Sequence, residues 1–260
     1  MRVLFIGDVV GSPGRAGLAR AMPGIRERHG PDLVIANGEN SAGGLGITEK
    51  TARELFDAGV DVITTGNHVY RHRDAYEFLD RSDRVIRPAN YMTGNPGRGS
   101  TVVTVADRRV AVVNLSGSVQ LRVARSPFPE ADAIVDRLSG EADAVIVDFH
   151  AEVTSEKIAM GWHLDGRVAA VLGTHTHVPT ADARVLPGGT AFISDVGMTG
   201  SRAGVIGVRR EQALESFRTQ MPVKFDTADE DVWVNAVLVD VREDGLADSI
   251  EQVLVPAQQP

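Results

Sequence analysis

Residues 3–8 read Val3-Leu4-Phe5-Ile6-Gly7-Asp8, four apolar residues followed by a glycine and a carboxylate. A short apolar run of this kind predicts a strand that is buried on both faces. Asp8 then lies at the carboxyl end of the strand. The same arrangement, an apolar run that ends in polar side chains, recurs along the chain and decides the predicted fold.

Further strands and helices alternate after this first strand. The other apolar runs that predict buried strands are Leu33–Ala36, Val60–Thr64, Val110–Leu115, Ala144–Val147 and Ala169–Leu172. The amphipathic stretches that predict helices are Arg15–Arg28, Thr48–Ala58, Arg71–Leu79, Pro129–Leu138 and Ser155–His163. Thr48 and Ser155 are the expected N-caps. This alternation favours an α/β fold, with a largely parallel sheet and helices outside it.

The C-terminal part of the chain has a different pattern. Val232–Val241 alternates with a period of two residues, and Gly245 separates it from a second apolar run, Ile250–Val255. We interpret the pair as an antiparallel hairpin that joins a second sheet, which indicates two stacked sheets between layers of helices. No Ser/Pro-rich or charged linker interrupts the chain, so we expect residues 1–260 to form a single domain.

Composition narrows the functional classes. The 260 residues include 27 Lys and Arg against 35 Asp and Glu, a formal net charge of −8, which disfavours binding of duplex nucleic acid. A small anionic substrate stays compatible, because bound cations can invert the potential locally. The chain has no cysteine, so disulfides and a catalytic thiol are excluded.

The absence of targeting signals leads to an expected location. No apolar run approaches the roughly 20 residues of a membrane span. Met1-Arg2 lead directly into the first strand, and the apolar run Val3–Ile6 is too short for a signal peptide. We therefore expect a cytoplasmic protein that does not bind a membrane. We also expect that it can form homo-oligomers, because apolar two-sheet sandwiches often pair.

Polar side chains that can bind metals follow five of the predicted strands. They are Asp8, Glu39, Asn40, Asn67, His68, His150, His175 and His177. Taken singly, each residue is most often a cap, a turn residue or a structural histidine. In an α/β sheet, however, ligands bind outside the carboxyl ends of the strands. Capping hardly explains five such ends together, so we predict that these residues converge on one site.

The strongest single signal is the stretch Gly173-Thr174-His175-Thr176-His177. Two imidazoles two residues apart on an extended segment point to opposite sides, so each can serve one of two ions. A donor set of carboxylate, amide oxygen and imidazole without sulfur suits Mn²⁺, Fe²⁺ or Zn²⁺. Glu39 is the natural bridging carboxylate, since it has one oxygen for each ion.

These motifs support a resemblance to a known family. Gly66-Asn67-His68, the lone His150 and the His175-x-His177 pair resemble the calcineurin-like metallophosphoesterase superfamily. The chain departs from the usual pattern of that superfamily, because Val9-Val10 rather than x-His follow Asp8. Longer stretches resemble one branch, the YmdB-type 2′,3′-cyclic-nucleotide 2′-phosphodiesterases. These stretches are residues 5–15, 37–40, 173–177 and 194–200.

The resemblance implies a fold and a site. The fold is the four-layer α/β/β/α sandwich of the metallophosphoesterase type, with a dinuclear metal site at the carboxyl ends of the strands. The implied ligands are Asp8, Glu39, Asn40 and His177 for one ion, and Glu39, Asn67, His150 and His175 for the other. His68 is the catalytic residue that faces the leaving oxygen.

The resemblance also implies a reaction. The expected substrates are small nucleotide phosphodiesters, above all 2′,3′-cyclic nucleotides, which are hydrolysed by in-line attack of a hydroxide that bridges the metal ions. Two alternatives stay open on the sequence alone: a phosphomonoesterase, such as a nucleotidase or protein phosphatase, that uses the same metals, and a metal-bound regulatory or scaffold protein. A dinucleotide-dependent oxidoreductase is disfavoured, because Gly11-Ser12-Pro13-Gly14 lacks the required glycine spacing and more naturally shapes a loop after Asp8.

Overall fold

Two β-sheets form the centre of the chain, which the computed structural model describes for residues 1–257. The strands are β1 (Arg2–Ile6), β2 (Asp8–Val9), β3 (Leu33–Asn37), β4 (Val62–Thr64), β5 (Ser100–Val105), β6 (Arg108–Ser116), β7 (Ala144–His150), β8 (Ala170–Thr174), β9 (Arg184–Val185), β10 (Ala191–Ile193), β11 (Met198–Ser201), β12 (Val232–Val241) and β13 (Ala247–Pro256). The helices are α1 (Gly11–His29), α2 (Glu49–Asp57), α3 (Ala75–Arg81), α4 (Pro127–Leu138), α5 (Thr154–His163) and α6 (Arg210–Thr219).

Both sheets are mixed, with a block of parallel strands and further antiparallel strands. The first has the order β2-β11-β12-β1-β3-β4, with β13 paired to β12, and the second has the order β5-β6-β7-β8-β10-β9. Strands β1, β3 and β4 are mutually parallel in the first sheet. Strands β6, β7, β8 and β10 are parallel in the second. The carboxyl ends of these strands therefore collect at one edge of each sheet.

The alternation of side chains along β1 explains the layers. Val3 and Phe5 pack between the two sheets, together with residues of the second sheet such as Ile146. Leu4 and Ile6 point to the other face, where they pack with helix residues such as Leu18. Because both faces of the strand are buried, the apolar run is continuous, as the sequence predicts.

The second sheet is covered in the same way. Val145 and Val147 of β7 pack on its outer face with Ile134 of α4 and Met160 of α5, while Ile146 packs between the sheets. Helices therefore lie outside both sheets, and the predicted α/β arrangement with two stacked sheets is confirmed. No helix within residues 1–257 is long and apolar enough to cross a membrane.

The placement of the C-terminal hairpin corrects the sequence-based interpretation. Strand β12 pairs with β1, with Val3 opposite Val239 and Phe5 opposite Val237, so the hairpin joins the first sheet and not the second. The second sheet contains the apolar runs between residues 108 and 174. The physical reason is that β12 is apolar on both faces, with Leu238 packed toward the helices and Val239 between the sheets. Such a strand belongs in the middle of a sheet.

Three predictions concern the starts of helices: the caps Thr48 and Ser155, and the loop at residues 11–14. The first is confirmed and the other two are wrong. Thr48 caps α2 through a reciprocal hydrogen-bond pair with Thr51, as expected. Ser155 is not a cap, because α5 begins at Thr154. The stretch 11–14 forms the first turn of α1 and not a loop. This turn lies so close to β11 that a Cβ on Gly14 would be 2.3 Å from the Thr199 carbonyl oxygen.

Candidate metal centre

The structure brings together all eight polar residues that the strand ends predict. They are Asp8, Glu39, Asn40, Asn67, His68, His150, His175 and His177, and they come from the ends of β1, β3, β4, β7 and β8. Asp8, Glu39 and His150 have no exposed surface, and Asn40 is 2% exposed. The two sheets thus contribute to a single buried polar cluster.

Glu39 and His150 form the centre of this cluster. His150 Nε2 lies 3.1 Å from Glu39 Oε1 and 3.0 Å from Asn67 Oδ1. Glu39, His150 and His175 each offer a donor atom, and these atoms lie within 4.8 Å of one another. Gly66 permits this approach, because a Cβ there would be 2.3 Å from the His150 ring and 2.5 Å from Glu39 Oε2. Three groups with lone pairs at such spacing can hold one metal ion.

Asp8 provides a direct test of whether a cation fits. Its Oδ2 accepts a hydrogen bond from the backbone N–H of His175 at 3.1 Å. Its Oδ1 is buried and has no hydrogen-bond partner within residues 1–257. That oxygen lies 3.8 Å from His177 Nε2 and 4.0 Å from His150 Nδ1. An unpaired buried carboxylate oxygen is costly, and a cation beside it would remove the cost.

His177 has the tautomer that a metal ligand needs. Its Nδ1 lies 2.9 Å from the carbonyl oxygen of Ile206, to which it can only donate. Nε2 therefore keeps its lone pair and faces Asp8 and Asn40. A backbone carbonyl that fixes the far nitrogen is a usual companion of metal-binding histidine.

His150 is oriented by a buried relay. Its Nδ1 lies 2.9 Å from Thr174 Oγ1, which in turn donates to Asp148 Oδ1 at 2.7 Å. Asn37 at the end of β3 donates to Asp148 Oδ2 at 3.0 Å, which joins the two sheets beneath the site. Asp148 thus acts on the imidazole through Thr174. The sequence signal for this relay is weak: polar residues in otherwise apolar strands.

The segment of His175 and His177 departs from its predicted conformation. It is a turn and not an extended strand, and both histidines have positive φ, 97° and 66°. Asp195 holds the turn, because Thr176 donates to its Oδ2 from both the backbone N–H and the hydroxyl, at 3.0 and 2.7 Å. Lys157 forms a buried ion pair with the same oxygen at 2.7 Å. The predicted extended conformation of this segment is therefore wrong, although both imidazoles reach the site.

His175 has a partner that the sequence did not indicate. Its Nε2 lies 2.9 Å from Oε2 of Glu152, which lines the cavity in front of the site. A carboxylate only accepts, so this contact places the proton on Nε2 and leaves the lone pair on Nδ1. Burial and the neighbouring His150 lower the pKa of His175 to about 3. The ring is therefore neutral at physiological pH.

His68 and Asn40 form the more accessible side of the cluster. The backbone N–H of His68 donates to Glu39 Oε2 at 3.0 Å, and its Nδ1 donates to Asn40 Oδ1 at 2.9 Å. The amide nitrogen of Asn40 faces His177 Nε2 at 3.1 Å. A flip of this amide would exchange its two atoms and turn the oxygen toward His177. The His68 side chain is 32% exposed, so it can meet a molecule that enters from solvent.

The charges of the cluster oppose one another. Burial alone would raise the pKa of Glu39, but the charge and hydrogen bonds of His150 and His68 lower it well below its ordinary value. Burial would lower the pKa of His150, yet Glu39 and the neighbouring carboxylates raise it to about 9. Burial raises the pKa of Asp8 in spite of His177 and His150. The imidazoles therefore stabilise the ionised form of Glu39, whereas they do not offset the burial of Asp8.

Comparison with known proteins identifies the family. The family model described as YmdB-like protein matches residues 4–253. The chain belongs to the YmdB-like family. The expected family is confirmed, and it was inferred from stretches within residues 5–200.

Two relatives of this YmdB-like chain are similar to it over nearly their full length, and a third shares the fold. A 2′,3′-cyclic-nucleotide 2′-phosphodiesterase of Bacillus subtilis (strain 168) is 44% identical over 256 residues, which cover 98% of this chain and 97% of the relative. A solved structure of a phosphatase from Mycoplasma pneumoniae is 33% identical with a TM-score of 0.92, covering 98% and 93% of the two chains. A 5′-nucleotidase precursor from Thermus thermophilus, 13% identical with a TM-score of 0.57, shares the fold over 98% of this chain and 54% of its own.

The relay beneath His150 generates a prediction. Thr174→Val keeps the shape of the side chain but removes the hydroxyl that joins Asp148 to the imidazole. Loss of such an outer partner typically weakens metal affinity about 10- to 100-fold. We expect that loss in Mn²⁺ titrations followed by calorimetry. Thr174→Ser, which retains the hydroxyl, should bind close to wild type, and equal affinity of all three proteins would show that the relay does not orient a ligand.

Proposed function

We propose that this chain is a metal-dependent phosphodiesterase that hydrolyses 2′,3′-cyclic nucleotides to nucleoside 3′-phosphates. The observation that carries the proposal is the buried cluster around Glu39, His150 and the unpaired oxygen of Asp8, in a chain of this family. The 44% identity to the Bacillus subtilis 2′,3′-cyclic-nucleotide 2′-phosphodiesterase supports the choice of substrate.

The donor set suggests how two divalent ions would be held. Asp8, Glu39, Asn40 and His177 would bind one ion, and Glu39, Asn67, His150 and His175 the other. Oxygen and imidazole donors without sulfur favour Mn²⁺ or Fe²⁺, and Zn²⁺ also fits. Bound ions of this kind lower the pKa of a water molecule and neutralise charge on phosphoryl oxygens.

His68 would protonate the leaving oxygen. In the reaction, an oxygen from water forms a new bond to phosphorus, and the bond from phosphorus to the ribose 2′ oxygen breaks. With the Asn40 oxygen turned toward the ion, the Asn40 amide NH₂ would donate to His68 Nδ1, which lies 2.9 Å from the position that the oxygen holds in this structure. The proton of the neutral imidazole is then on Nε2, from which it can transfer to the departing 2′ oxygen.

The cavity supports a small diester over the alternatives. It measures about 400 Å³ and opens onto Glu39, Asn40 and His68, a size that suits a single nucleotide. No Lys or Arg lines it among the described residues. A monoester dianion would gain from a basic side chain there, whereas a diester carries only one negative charge. A scaffold role would leave the convergence of buried donor atoms unexplained.

The proposal predicts metal-dependent turnover of a defined bond. Protein stripped with a chelator and reloaded with Mn²⁺ should convert 2′,3′-cyclic AMP to 3′-AMP, measured by liquid chromatography, while the stripped protein stays inactive. Under the same conditions 3′-AMP and 5′-AMP should be hydrolysed much more slowly. A metal-free preparation with full activity, or faster release of phosphate from the monoesters, would refute the proposed reaction.

The role of His68 can be separated from metal binding. His68→Ala should retain the metal content of wild type but lose about 10²- to 10⁴-fold in turnover of 2′,3′-cyclic AMP, as expected for lost general-acid catalysis. The loss should be much smaller for bis(p-nitrophenyl) phosphate, whose leaving group departs without a proton. Metal content measured on the same sample provides the control. Lost metal would make His68 a ligand, and equal losses with both substrates would exclude proton donation.

A further inference from the structure

We infer that an apolar wall beside the metal centre binds the base of the nucleotide. The wall consists of Leu45, Ile206, Phe217 and Phe225, and we call it the base wall. The inference rests on the proposed function and adds to it the part of the substrate that is not phosphate. The amino-acid sequence alone does not indicate this surface, because α6 and residues 220–227 lack a strong periodic pattern.

The base wall is unusual in its exposure. Phe217 is 79% exposed, Ile206 53%, Phe225 49% and Leu45 44%. These side chains line the same cavity as Glu39, His68 and His177. Four large apolar groups that face water beside one polar cluster indicate a surface that a ligand covers.

One residue of the base wall, Ile206, is hydrogen-bonded to the polar cluster. The Ile206 carbonyl oxygen accepts the hydrogen bond from His177 Nδ1 at 2.9 Å, so one residue both orients a candidate metal ligand and contributes to the wall. Ile206 holds this position with a positive φ of 45°, which is costly for a β-branched residue. This member of the wall is therefore held directly beside His177.

The two segments that carry Leu45 and Phe225 lie close to each other. A Cβ on Gly44 would be 3.0 Å from the Thr227 methyl, and one on Gly11 would be 2.7 Å from the same group. Thr227 also forms a β-bridge with Val208. The turn that carries Leu45 and the segment that carries Phe225 are thus packed together at the mouth of the cavity.

The chemistry of the wall fits a nucleobase better than other occupants. A base is flat, has two apolar faces and is separated from the 2′,3′-phosphate by a single ribose. Any of the bases can stack on a Phe ring, because every base has a π-face. The absence of Lys and Arg among the described lining residues disfavours a longer polyanionic strand. We therefore expect weak discrimination among bases, with purines preferred for their larger area.

The test compares two cyclic phosphates that differ only in the base. One is 2′,3′-cyclic AMP, and the other is methyl β-D-riboside 2′,3′-cyclic phosphate, which has a methoxy group in its place. Phe217→Ala in the Mn²⁺-loaded protein should raise KM for 2′,3′-cyclic AMP at least about 5-fold, the low end of what one stacked base contributes. The kinetics with the methyl riboside should change less than 2-fold. Phe217→Trp should restore KM.

Leu214→Ala provides the matched control. Leu214 lies on the same helix, is 50% exposed and is not part of the cavity lining, so its removal should leave both substrates unaffected. Equal effects of Phe217→Ala on the two substrates, or none on either, would overturn the base wall. If light scattering shows that Phe217→Ala also dissociates an oligomer and both substrates lose equally, the wall is an interface between copies of the chain.

Adenosine binding separates failure of the base wall from failure of the proposed function. Saturation-transfer NMR should detect adenosine on wild type and Leu214→Ala, and much less on Phe217→Ala, without any turnover. If adenosine binds in this way but cyclic nucleotides are not hydrolysed, the base wall stands and the proposed reaction fails. If cyclic nucleotides are hydrolysed but Phe217→Ala leaves adenosine binding unchanged, the base wall fails alone.

Discussion

Burial of negative charge is the constraint on which the site depends. Asp8, Glu39, Asp148 and Asp195 lie beneath one cavity, and each is at most 1% exposed. Ionised carboxylates without water are costly unless they are paired, so each needs its own compensation. Asp195 has Lys157. The pKa of Asp148 is raised to about 6, chiefly by burial. Asp8 and Glu39 are left with imidazoles, and divalent cations would complete their compensation.

The topology makes this concentration of charge achievable. Parallel strands from two sheets end at the same place, and hydrogen bonds such as Asn37 to Asp148 join the sheets there. Residues more than a hundred positions apart in the chain thereby meet within hydrogen-bond distance. The apolar strands beneath the cluster supply the stability, because their side chains are buried on both faces. Hydrophobic packing therefore stabilises the fold enough to tolerate the unfavourable burial of these carboxylates.

The sequence predicted most of this arrangement because its main signals are local. Continuous apolar runs mark strands buried on both faces, and the polar residues that follow them mark the strand ends. The position of β12 beside β1 could not be predicted, since pairing partners are set by tertiary packing and not by periodicity. The turn at His175 was missed for a similar reason: the distant residues Asp195 and Asp8 hold it.

The least predictable part was the surface around the cluster. The exposed apolar residues in and around α6 match no known motif. They can be connected to the site only because Ile206 and Phe217 line one cavity with Glu39. Glu152 and Thr174 likewise acquire roles only through contacts with His175 and His150. The roles of these residues depend on contacts with residues that are distant in the chain, and a local sequence pattern does not reveal such contacts.

We propose that the buried carboxylates and imidazoles hold two metal ions. Anomalous X-ray scattering from crystals of the Mn²⁺-loaded protein, recorded at the Mn absorption edge, locates such ions. We expect two anomalous peaks about 3.5–4 Å apart, both in contact with Glu39, one beside Asp8 and His177 and the other beside Asn67 and His150. A single peak, or peaks that do not contact Glu39, would rule out the dinuclear site.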